Sequence, residues 1–187
     1  MRLFLALTLP KKERQRIHRA ARPLREGELP VRWVDLEQYH VTLKFLGSVR
    51  KGALDSIRHT LDEVTSNTAP FDAAVTGFGA FPTIRRPNVL WAGVHATPEL
   101  RCLKQDLEWG LAELGFEKET RAFHPHLTLG RASSDGAGLF RGLDELVASL
   151  DLEAPFVVRA VDLMQSRTSS DGVTYTLVHR ARLTGGD

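Results

Sequence analysis

The sequence predicts an α+β fold with two pseudo-symmetric β-α-β-α-β lobes, whose antiparallel sheets line a central cleft and whose helices lie outside. The pattern His-x-Thr-x occurs at His40 and again at His126, 86 residues later. The same offset, to within two residues, separates the phenylalanines that open the third strands and the prolines that open the first helices. A long period with only two copies indicates paired lobes about a pseudo-two-fold axis and not a solenoid.

The first predicted repeat covers about residues 2–80. It begins with an apolar run, and the charged amphipathic stretch after Pro10 indicates a helix that ends near Gly27. A loop carrying Trp33 follows, and then a strand that Gly47 ends. Apolar residues spaced three or four apart predict the second helix. The expected elements are a strand at 3–9, a helix at 11–25, a strand at 39–46, a helix at 52–66 and a strand at 71–78.

The second predicted repeat covers about residues 88–165 and follows a loop that runs through residue 87. Its expected elements are a strand at 89–94, a helix at 98–114, a strand at 122–129, a helix at 139–150 and a strand at 156–163. A final strand at about 172–184 pairs with the strand before it through a turn at 169–172. We therefore expect residues 1–187 to form one bilobal domain.

The His-x-Thr patterns at His40 and His126 place polar groups on one face of each strand. Side chains alternate along a strand, so a histidine and a threonine two residues apart stand side by side while Val41 or Leu127 points into the core. A pseudo-two-fold axis brings the two strands face to face. We expect two imidazoles and two hydroxyls to converge on one cleft.

Composition limits the classes of protein that the chain can belong to. Net charge is only +2, which suits a small or terminal phosphate-bearing ligand better than a long duplex. Cys102 is the only cysteine, so an intrachain disulfide and a thiolate metal cluster are excluded and a cytoplasmic setting is favoured. No apolar run is long enough to cross a bilayer, and nothing implies a protein partner. The apolar start is short and lacks a cleavage site, so we interpret it as a strand and not a signal peptide.

Two histidines across a cleft suit the opening of a phosphodiester. One atom must gain a proton as another loses one, and an imidazole pKa near 6.5 allows one ring to act as a base while the other acts as an acid. Threonine hydroxyls can donate hydrogen bonds to the non-bridging phosphate oxygens. This chemistry requires no metal and no cofactor.

The two motifs resemble the signatures of a known family. The segments His40–Gly47, HVTLKFLG, and Phe123–Arg131, FHPHLTLGR, are similar to those of the two-histidine (2H) phosphoesterases. Within that superfamily the chain looks like the RNA 2′,3′-cyclic phosphodiesterases, historically called bacterial 2′-5′ RNA ligases. The resemblance runs nearly the whole length; the further matching segments are Leu3–Leu7 with Pro10, Arg32–Val34, Arg86–Val94, and Leu163–Arg167 with Tyr175.

The resemblance implies metal-independent hydrolysis of a terminal RNA 2′,3′-cyclic phosphate to a 2′-phosphomonoester. By motif position, His40 would donate a proton to the departing 3′ oxygen and His126 would accept one from water. Thr42 and Thr128 would hold the phosphate. The reverse reaction with a 5′-hydroxyl RNA would make a 2′-5′ linkage. The implied partner is RNA with a cyclic phosphate end, whether a tRNA fragment, an oligonucleotide or a nucleotide.

Two basic residues beside the motifs are further candidates for substrate binding. Lys44 has the parity of His40 and Thr42, so simple alternation points it into the cleft. Arg131 follows the second motif as the family pattern expects, but alternation puts it on the face opposite His126. A bulge or the end of the strand would let it reach the cleft.

Other readings of the same residues remain open. The chain could be a non-catalytic RNA-end or nucleotide-binding protein, or a metal-dependent hydrolase that uses His40, His124 and His126. Activity that survives chelation would exclude the second of these. Four aromatic residues could stack on RNA, of which we expect Trp91 to be core; they are Trp33, Phe81, Trp91 and Phe123. Arg85 and Arg86 could steer the RNA chain, and we interpret His18, His59, His95 and His179 as surface or helix-face residues.

Overall fold

The computed structural model describes residues 1–133, 137–170 and 172–186. Nine strands lie within these residues: β1 (Arg2–Thr8), β2 (Val31–Trp33), β3 (His40–Ser48), β4 (Phe71–Thr83), β5 (Arg86–Val94), β6 (His126–Ala132), β7 (Glu153–Val158), β8 (Ala160–Ser169) and β9 (Gly172–Arg182). The helices are α1 (Lys11–Ala20), α2 (Arg22–Glu26), α3 (Leu54–Ser66), α4 (Pro98–Glu113) and α5 (Leu143–Ser149). Short 3-10 turns cover Leu36–Gln38, Lys51–Ala53 and Ala137–Phe140.

The strands form one antiparallel sheet in the order β7-β4-β5-β6-β3-β1-β8-β9, with the short β2 also paired to β6. Its two halves, β7-β4-β5-β6 and β3-β1-β8-β9, meet where β3 pairs with β6. Among the described residues, that pairing has the single register pair Val41 and Leu127. The strands therefore diverge on either side of this point, which leaves a cleft between the halves. The predicted antiparallel α+β fold is confirmed.

The third strand of each predicted repeat crosses into the other half of the sheet. From the first repeat, β4 pairs with β5 of the second. From the second repeat, β8 pairs with β1 of the first. Each half of the sheet is thus built from both repeats, and the two halves are joined by crossing chain as well as by β3 and β6.

Helices cover each half of the sheet on the side away from the cleft. In α3, Ile57 and Leu61 are fully buried at a spacing of four, as an amphipathic helix on a sheet requires. Its neighbour α4 buries Leu100, Leu103, Leu107 and Leu111. Both helices pack on the half of the sheet that contains β8 and β9. On the other half, α1 contacts β7 and α5 contacts β4.

The predicted helix 11–25 is in fact two helices that divide at Ala21. Pro23 has no backbone N–H to donate to the carbonyl of Arg19, and its ring would clash with that carbonyl. The chain therefore ends α1 and starts the five-residue α2, with Pro23 in its first turn.

Several other boundaries also differ from the prediction. The expected strand 156–163 is two strands, since the chain leaves β7 after Val158 and enters β8 at the other end of the sheet order. The loop expected before residue 39 contains the short strand β2. The loop expected to run through residue 87 is instead the tip of a hairpin formed by β4 and β5. The remaining differences are local: β6 starts at His126 and not at 122, β3 continues through Gly47, and 139–150 holds only the short α5 after a 3-10 turn.

The predicted turn at 169–172 joins β8 and β9, whose last register pair is Ser169 and Gly172. Asp171, within that turn, lies outside the described residues. In the part of the chain that is described, no helix has the length and apolar character needed to cross a membrane.

Candidate active site

Four polar residues of the two motifs gather around the pair that joins the halves of the sheet. Val41 and Leu127 are paired and fully buried. In antiparallel order, the next positions along the two diverging strands are His40 and Thr128 on one side of this pair and Thr42 and His126 on the other. All four are half-buried, on the face opposite Val41 and Leu127. Each histidine thus lies across from the threonine of the other motif.

Both imidazoles are held in the same way by backbone. The Nδ1 atom of His40 donates to the carbonyl oxygen of Gln38 at 2.7 Å, and Nδ1 of His126 donates to that of His124 at 2.7 Å. A carbonyl oxygen can only accept, so Nδ1 carries the proton in the neutral ring. No hydrogen bond within the described residues involves Nε2 of either ring, so this atom can accept a proton when the ring is neutral and donate one when it is charged.

Aromatic rings pack against each imidazole. His40 lies 5.1 Å from Phe4 and 5.0 Å edge-on from Tyr175, measured between ring centroids. His126 lies 5.0 Å edge-on from Phe81 and 6.5 Å from Trp91. These contacts fix the ring orientations and remove water from one side of each imidazole.

Trp91 was expected in the core, and that expectation is wrong. Its side chain is half-buried and packs against Gly79, where a Cβ atom would be only 2.3 Å from the indole ring. The bulge in β6 described below pairs Trp91 with Thr128, which places it on the cleft face. Its Nε1 atom is buried and has no hydrogen-bond partner among the described residues.

Burial lowers the pKa of both histidines below the usual 6.5. For His40, burial is opposed by the hydrogen bond to Gln38 and reinforced by the charge on His126. For His126, burial is opposed by the hydrogen bond to His124 and reinforced by the charges on Arg131 and His124. Since protonation of His126 disfavours that of His40, the pair favours one proton between them over two.

A β-bulge follows the threonine of each motif. On β3, Thr42 pairs with Ala6 and Lys44 with Leu5, so Leu43 is an extra residue. On β6, Thr128 pairs with Trp91 and Gly130 with Leu90, so Leu129 is an extra residue. A single inserted residue reverses which face each later side chain occupies. The two bulges are at equivalent positions of the two motifs.

The bulges reverse the predicted directions of both basic residues. Lys44 was expected to face the cleft, and this is wrong: it is 3% exposed and its Nζ donates to Glu108 at 2.7 Å on the helix side. Arg131 is exposed on the cleft face with His126, whose pKa its charge lowers. The position equivalent to Arg131 in β3 is Phe45, which is 68% exposed and 6.0 Å from Phe4.

Lys44 belongs to a buried charge network that holds the bulge in β3. The Nζ atom of Lys104 donates to the carbonyl oxygen of Leu43 at 2.6 Å, to Glu108 at 2.6 Å and to Glu119 at 2.7 Å. Burial alone would raise the pKa of Glu108, but hydrogen bonds from Lys104 and Lys44 outweigh it and hold that pKa below 4.5. The extra residue of β3 is therefore fixed from beneath by paired charges.

The other sequence candidates lie away from this centre or take a different role. His124 is exposed and contributes its backbone carbonyl, and no group of three His, Cys, Asp or Glu residues in the described ranges could hold a metal ion. Trp33 packs beside Gly130, and Phe123 lies beneath Lys104 at 5.5 Å. The remaining candidates are at the surface or pair locally: Arg85 and Arg86 at the hairpin tip, His59, His95, His18 with Tyr39, and His179 with Asp62.

Phe4 and Phe45 were not predicted as part of the site. Alternation without the bulge turns Phe45 to the opposite face, and Phe4 lies in a run whose residues are all apolar. Tyr175 was found only through the resemblance of its segment, since its contact with His40 depends on how β9 pairs with β8.

Comparison with known proteins identifies the family. The model of the 2′-5′ RNA ligase superfamily matches residues 10–169. Relatives named RNA 2′,3′-cyclic phosphodiesterase include one from Methanothermobacter thermautotrophicus, 32% identical over 98% of this chain and 99% of its own, and one from Aeropyrum pernix, 32% identical over 82% and 87%.

Solved structures of similar fold include a protein of Thermus thermophilus, with a TM-score of 0.84 and 26% identity over the whole of both chains. Another is Escherichia coli LigT complexed with 3′-AMP, with a TM-score of 0.79 and 26% identity over 98% of each chain. With the sequence match and the fold in agreement, the chain belongs to the 2′-5′ RNA ligase superfamily of two-histidine phosphoesterases.

Proposed function

We propose that this protein is an enzyme that hydrolyses the 2′,3′-cyclic phosphate end of RNA to a 2′-phosphomonoester without a metal ion. The observation that carries the proposal is the pair of half-buried imidazoles on one face of the sheet. In each ring a backbone carbonyl holds Nδ1, and Nε2 has no hydrogen-bond partner in the part of the chain that the structure describes. Relatives that match nearly the whole chain bear the name RNA 2′,3′-cyclic phosphodiesterase, which supports the same reaction class.

The two free Nε2 atoms supply one proton and remove another. His126, neutral, accepts a proton from water as the water oxygen bonds to phosphorus. His40, charged, donates its proton to the 3′ oxygen as the phosphorus–oxygen bond breaks. The product is a 2′-phosphomonoester beside a free 3′ hydroxyl, and the enzyme regains its starting state by moving one proton from His126 to His40 through solvent.

Hydroxyl and guanidinium groups stabilise the phosphate during this step. Thr42 and Thr128 lie beside the histidines and donate to the non-bridging oxygens as their negative charge grows. Arg131, on the same face, adds a positive charge. Lys44 does not contact the phosphate in this proposal, because its side chain is buried and paired with Glu108. Run backwards with a 5′-hydroxyl RNA in place of water, the same groups would form a 2′-5′ linkage.

The substrates proposed are RNA ends in general, with tRNA fragments, oligonucleotides and cyclic nucleotides as candidates. A cytoplasmic location goes with this proposal, because the single Cys102 suits a reducing compartment.

The direct test uses RNA with a 2′,3′-cyclic phosphate end in excess chelator. We expect hydrolysis by the wild type and a product with its phosphate on the 2′ oxygen. His40→Ala and His126→Ala should each lower kcat by roughly 10² to 10⁴, the range for loss of a positioned acid or base.

His124→Ala is the matched control. It removes an exposed imidazole two residues from His126 but keeps the carbonyl that holds Nδ1 of His126. We expect activity close to wild type. Loss of activity in this variant together with inhibition by chelator would instead support the three-histidine metal hydrolase. RNA binding without turnover by the wild type would support the non-catalytic alternative.

A further inference from the structure

A second polar cavity lies at the end of the half-sheet that carries His40. Its volume is about 600 Å³. The end of β1, the junction of β7 and β8, and the end of β9 form its walls, together with residues of α1 and of the turn before β3. Neither of the reacting histidines lines it, so it is not the catalytic centre itself.

Four of the five charged residues that line this cavity are arginines. The arginines are Arg14, Arg159, Arg180 and Arg182, and the one carboxylate that lines the cavity is Glu37. The members of this arginine cluster come from three separate elements and meet only in the folded chain. A concave surface that gathers cations from distant parts of the sequence favours an anionic occupant.

Two of the four arginines are neutralised and two are not. Arg14 pairs with Glu37 at 2.6 Å, and Arg180 binds both oxygens of Asp162 at 2.7 and 2.9 Å. No ion pair or side-chain hydrogen bond joins Arg159 or Arg182 to another residue in the described ranges, and both are exposed. The cavity therefore has two positive charges beyond those its own carboxylates neutralise.

Asp162 holds the guanidinium of Arg180 in a fixed orientation. This carboxylate is 1% exposed and also accepts from the hydroxyl of Thr8 at 2.8 Å. The bidentate contact uses Nε and Nη2 of Arg180 and leaves its Nη1 donors unbound within the described residues. A planar group fixed in this way offers donors at low entropic cost to a phosphate oxygen.

The cavity adjoins the reacting centre through the strand register. Thr8, which lines the cavity, is the register partner of His40, so their side chains lie next to each other on one face. One row of register partners crosses four strands and consists of Arg180, Asp162, Ala6 and Thr42. Neighbouring strands are about 4.8 Å apart, so this row places Arg180 about three spacings from Thr42 at the backbone. A strand of RNA that ends at the histidines can therefore reach the arginine cluster with its next nucleotides.

We propose that the arginine cluster binds a phosphodiester of the RNA chain upstream of the cyclic end, and so makes an oligonucleotide a better substrate than a cyclic mononucleotide. The inference rests on the proposed function, since it takes the cyclic end to lie between His40 and His126. A mononucleotide has no upstream phosphodiester and gains nothing from the cavity.

The test compares two substrates, a short RNA with a 2′,3′-cyclic phosphate end and a nucleoside 2′,3′-cyclic phosphate. In Arg159→Gln/Arg182→Gln we expect kcat/KM for the RNA to fall about tenfold while that for the mononucleotide stays within about twofold. The salt dependence of kcat/KM for the RNA should also become less steep, by about 0.7 in the log–log slope for each phosphate that the variant no longer neutralises. Both residues are exposed, so the variant should fold, which its melting temperature checks.

Arg50→Gln/Lys51→Gln is the matched control. It removes the same charge from two exposed residues beyond the other end of β3 and should leave both substrates unaffected. Equal loss in both variants, or equal loss for both substrates, would overturn the proposal, as would no loss at all.

A binding measurement separates this proposal from the proposed function. The product RNA with a 2′-phosphate end should bind more tightly than the corresponding nucleoside 2′-phosphate, and the double variant should remove that advantage. If the wild type hydrolyses neither substrate, the proposed function fails, and this comparison alone then supports the cluster or excludes it.

Discussion

At the scale of single residues, the two imidazoles are equivalent in hydrogen bonding and different in charge environment. Each donates from Nδ1 to the carbonyl two residues earlier in the chain. Only His126 has an arginine whose charge lowers its pKa. A cation near His126 favours its neutral form, which is the form that a general base needs. Burial is nevertheless the largest cause of the lowered pKa in both rings, and the charge on His126 also lowers the pKa of His40.

The lowered histidine pKa values predict an acidic optimum for kcat/KM. The profile of kcat/KM follows the free enzyme, and the reactive form has one proton on the pair. Since both pKa values lie below 6.5, this form is most populated below pH 6.5. The bound phosphate is negative and raises both pKa values, so the optimum of kcat should lie at higher pH. Rates on a cyclic nucleotide from about pH 4 to about pH 9 give both profiles; a kcat/KM optimum above pH 7 would contradict this prediction.

The same shifts determine how these residues affect folding. A histidine whose pKa is lower in the folded state takes up protons preferentially when unfolded. Its contribution to stability is complete above the unfolded value of 6.5 and declines as pH falls through the folded value. The reacting pair therefore costs the protein stability in the acidic range where kcat/KM is expected to be greatest.

At the scale of elements, the bulges explain what the sequence could and could not predict. Alternation correctly predicts that the motif residues lie on strands and share one face, because they precede the inserted leucine of each strand; they are His40, Thr42, His126 and Thr128. Lys44 follows it, so its predicted direction was reversed. The bulge in β3 depends on Lys104 and Glu108 in α4, some 60 residues away in the chain, and no local pattern contains that information.

The predicted boundaries of several helices and strands were wrong for similar reasons. Apolar residues continue on both sides of Arg159, so the pattern in 153–163 did not show that the chain changes its place in the sheet at that residue. The three residues of β2 become a strand because they pair with β6, and not because of their own composition. Pro23 is the exception, since its effect on the first helix could have been read from the sequence.

Gly79 is where β4 makes room for Trp91, and Gly79→Ala should disturb the site through this contact. The added methyl group would lie 2.3 Å from the indole, so the ring must move away from Phe81 and His126. We expect a loss of about 1–3 kcal/mol in the free energy of unfolding and a change in tryptophan emission.

Gly52→Ala is the corresponding control, because a Cβ atom there meets nothing within 4 Å. It should change the free energy of unfolding by less than about 0.5 kcal/mol. Unchanged emission and stability in Gly79→Ala would mean that Trp91 does not rest on the backbone at this point.

At the scale of the whole molecule, the exchange of third strands makes the two halves of the sheet interdependent. We expect residues 1–84 alone not to fold cooperatively, because β4 would lack β5 and β7 and β1 would lack β8. Fragments 1–84 and 85–187, separated at the tip of the β4–β5 hairpin, should associate and recover activity when mixed. Thermal unfolding of the separate and mixed fragments measures this; a cooperative transition in fragment 1–84 alone would mean that the chain has two independent domains.

The position of β1 in the sheet also affects how the chain matures during synthesis. Its first edge is covered once β3 has been made, but the second waits for residues 162–166 of β8. On the ribosome, an apolar strand with exposed hydrogen-bonding groups must therefore persist until β8 emerges, and such an edge invites pairing with other nascent chains. Slow elongation between β3 and β8 would lengthen that interval, and a chaperone bound to β1 would cover the exposed edge while the interval lasts.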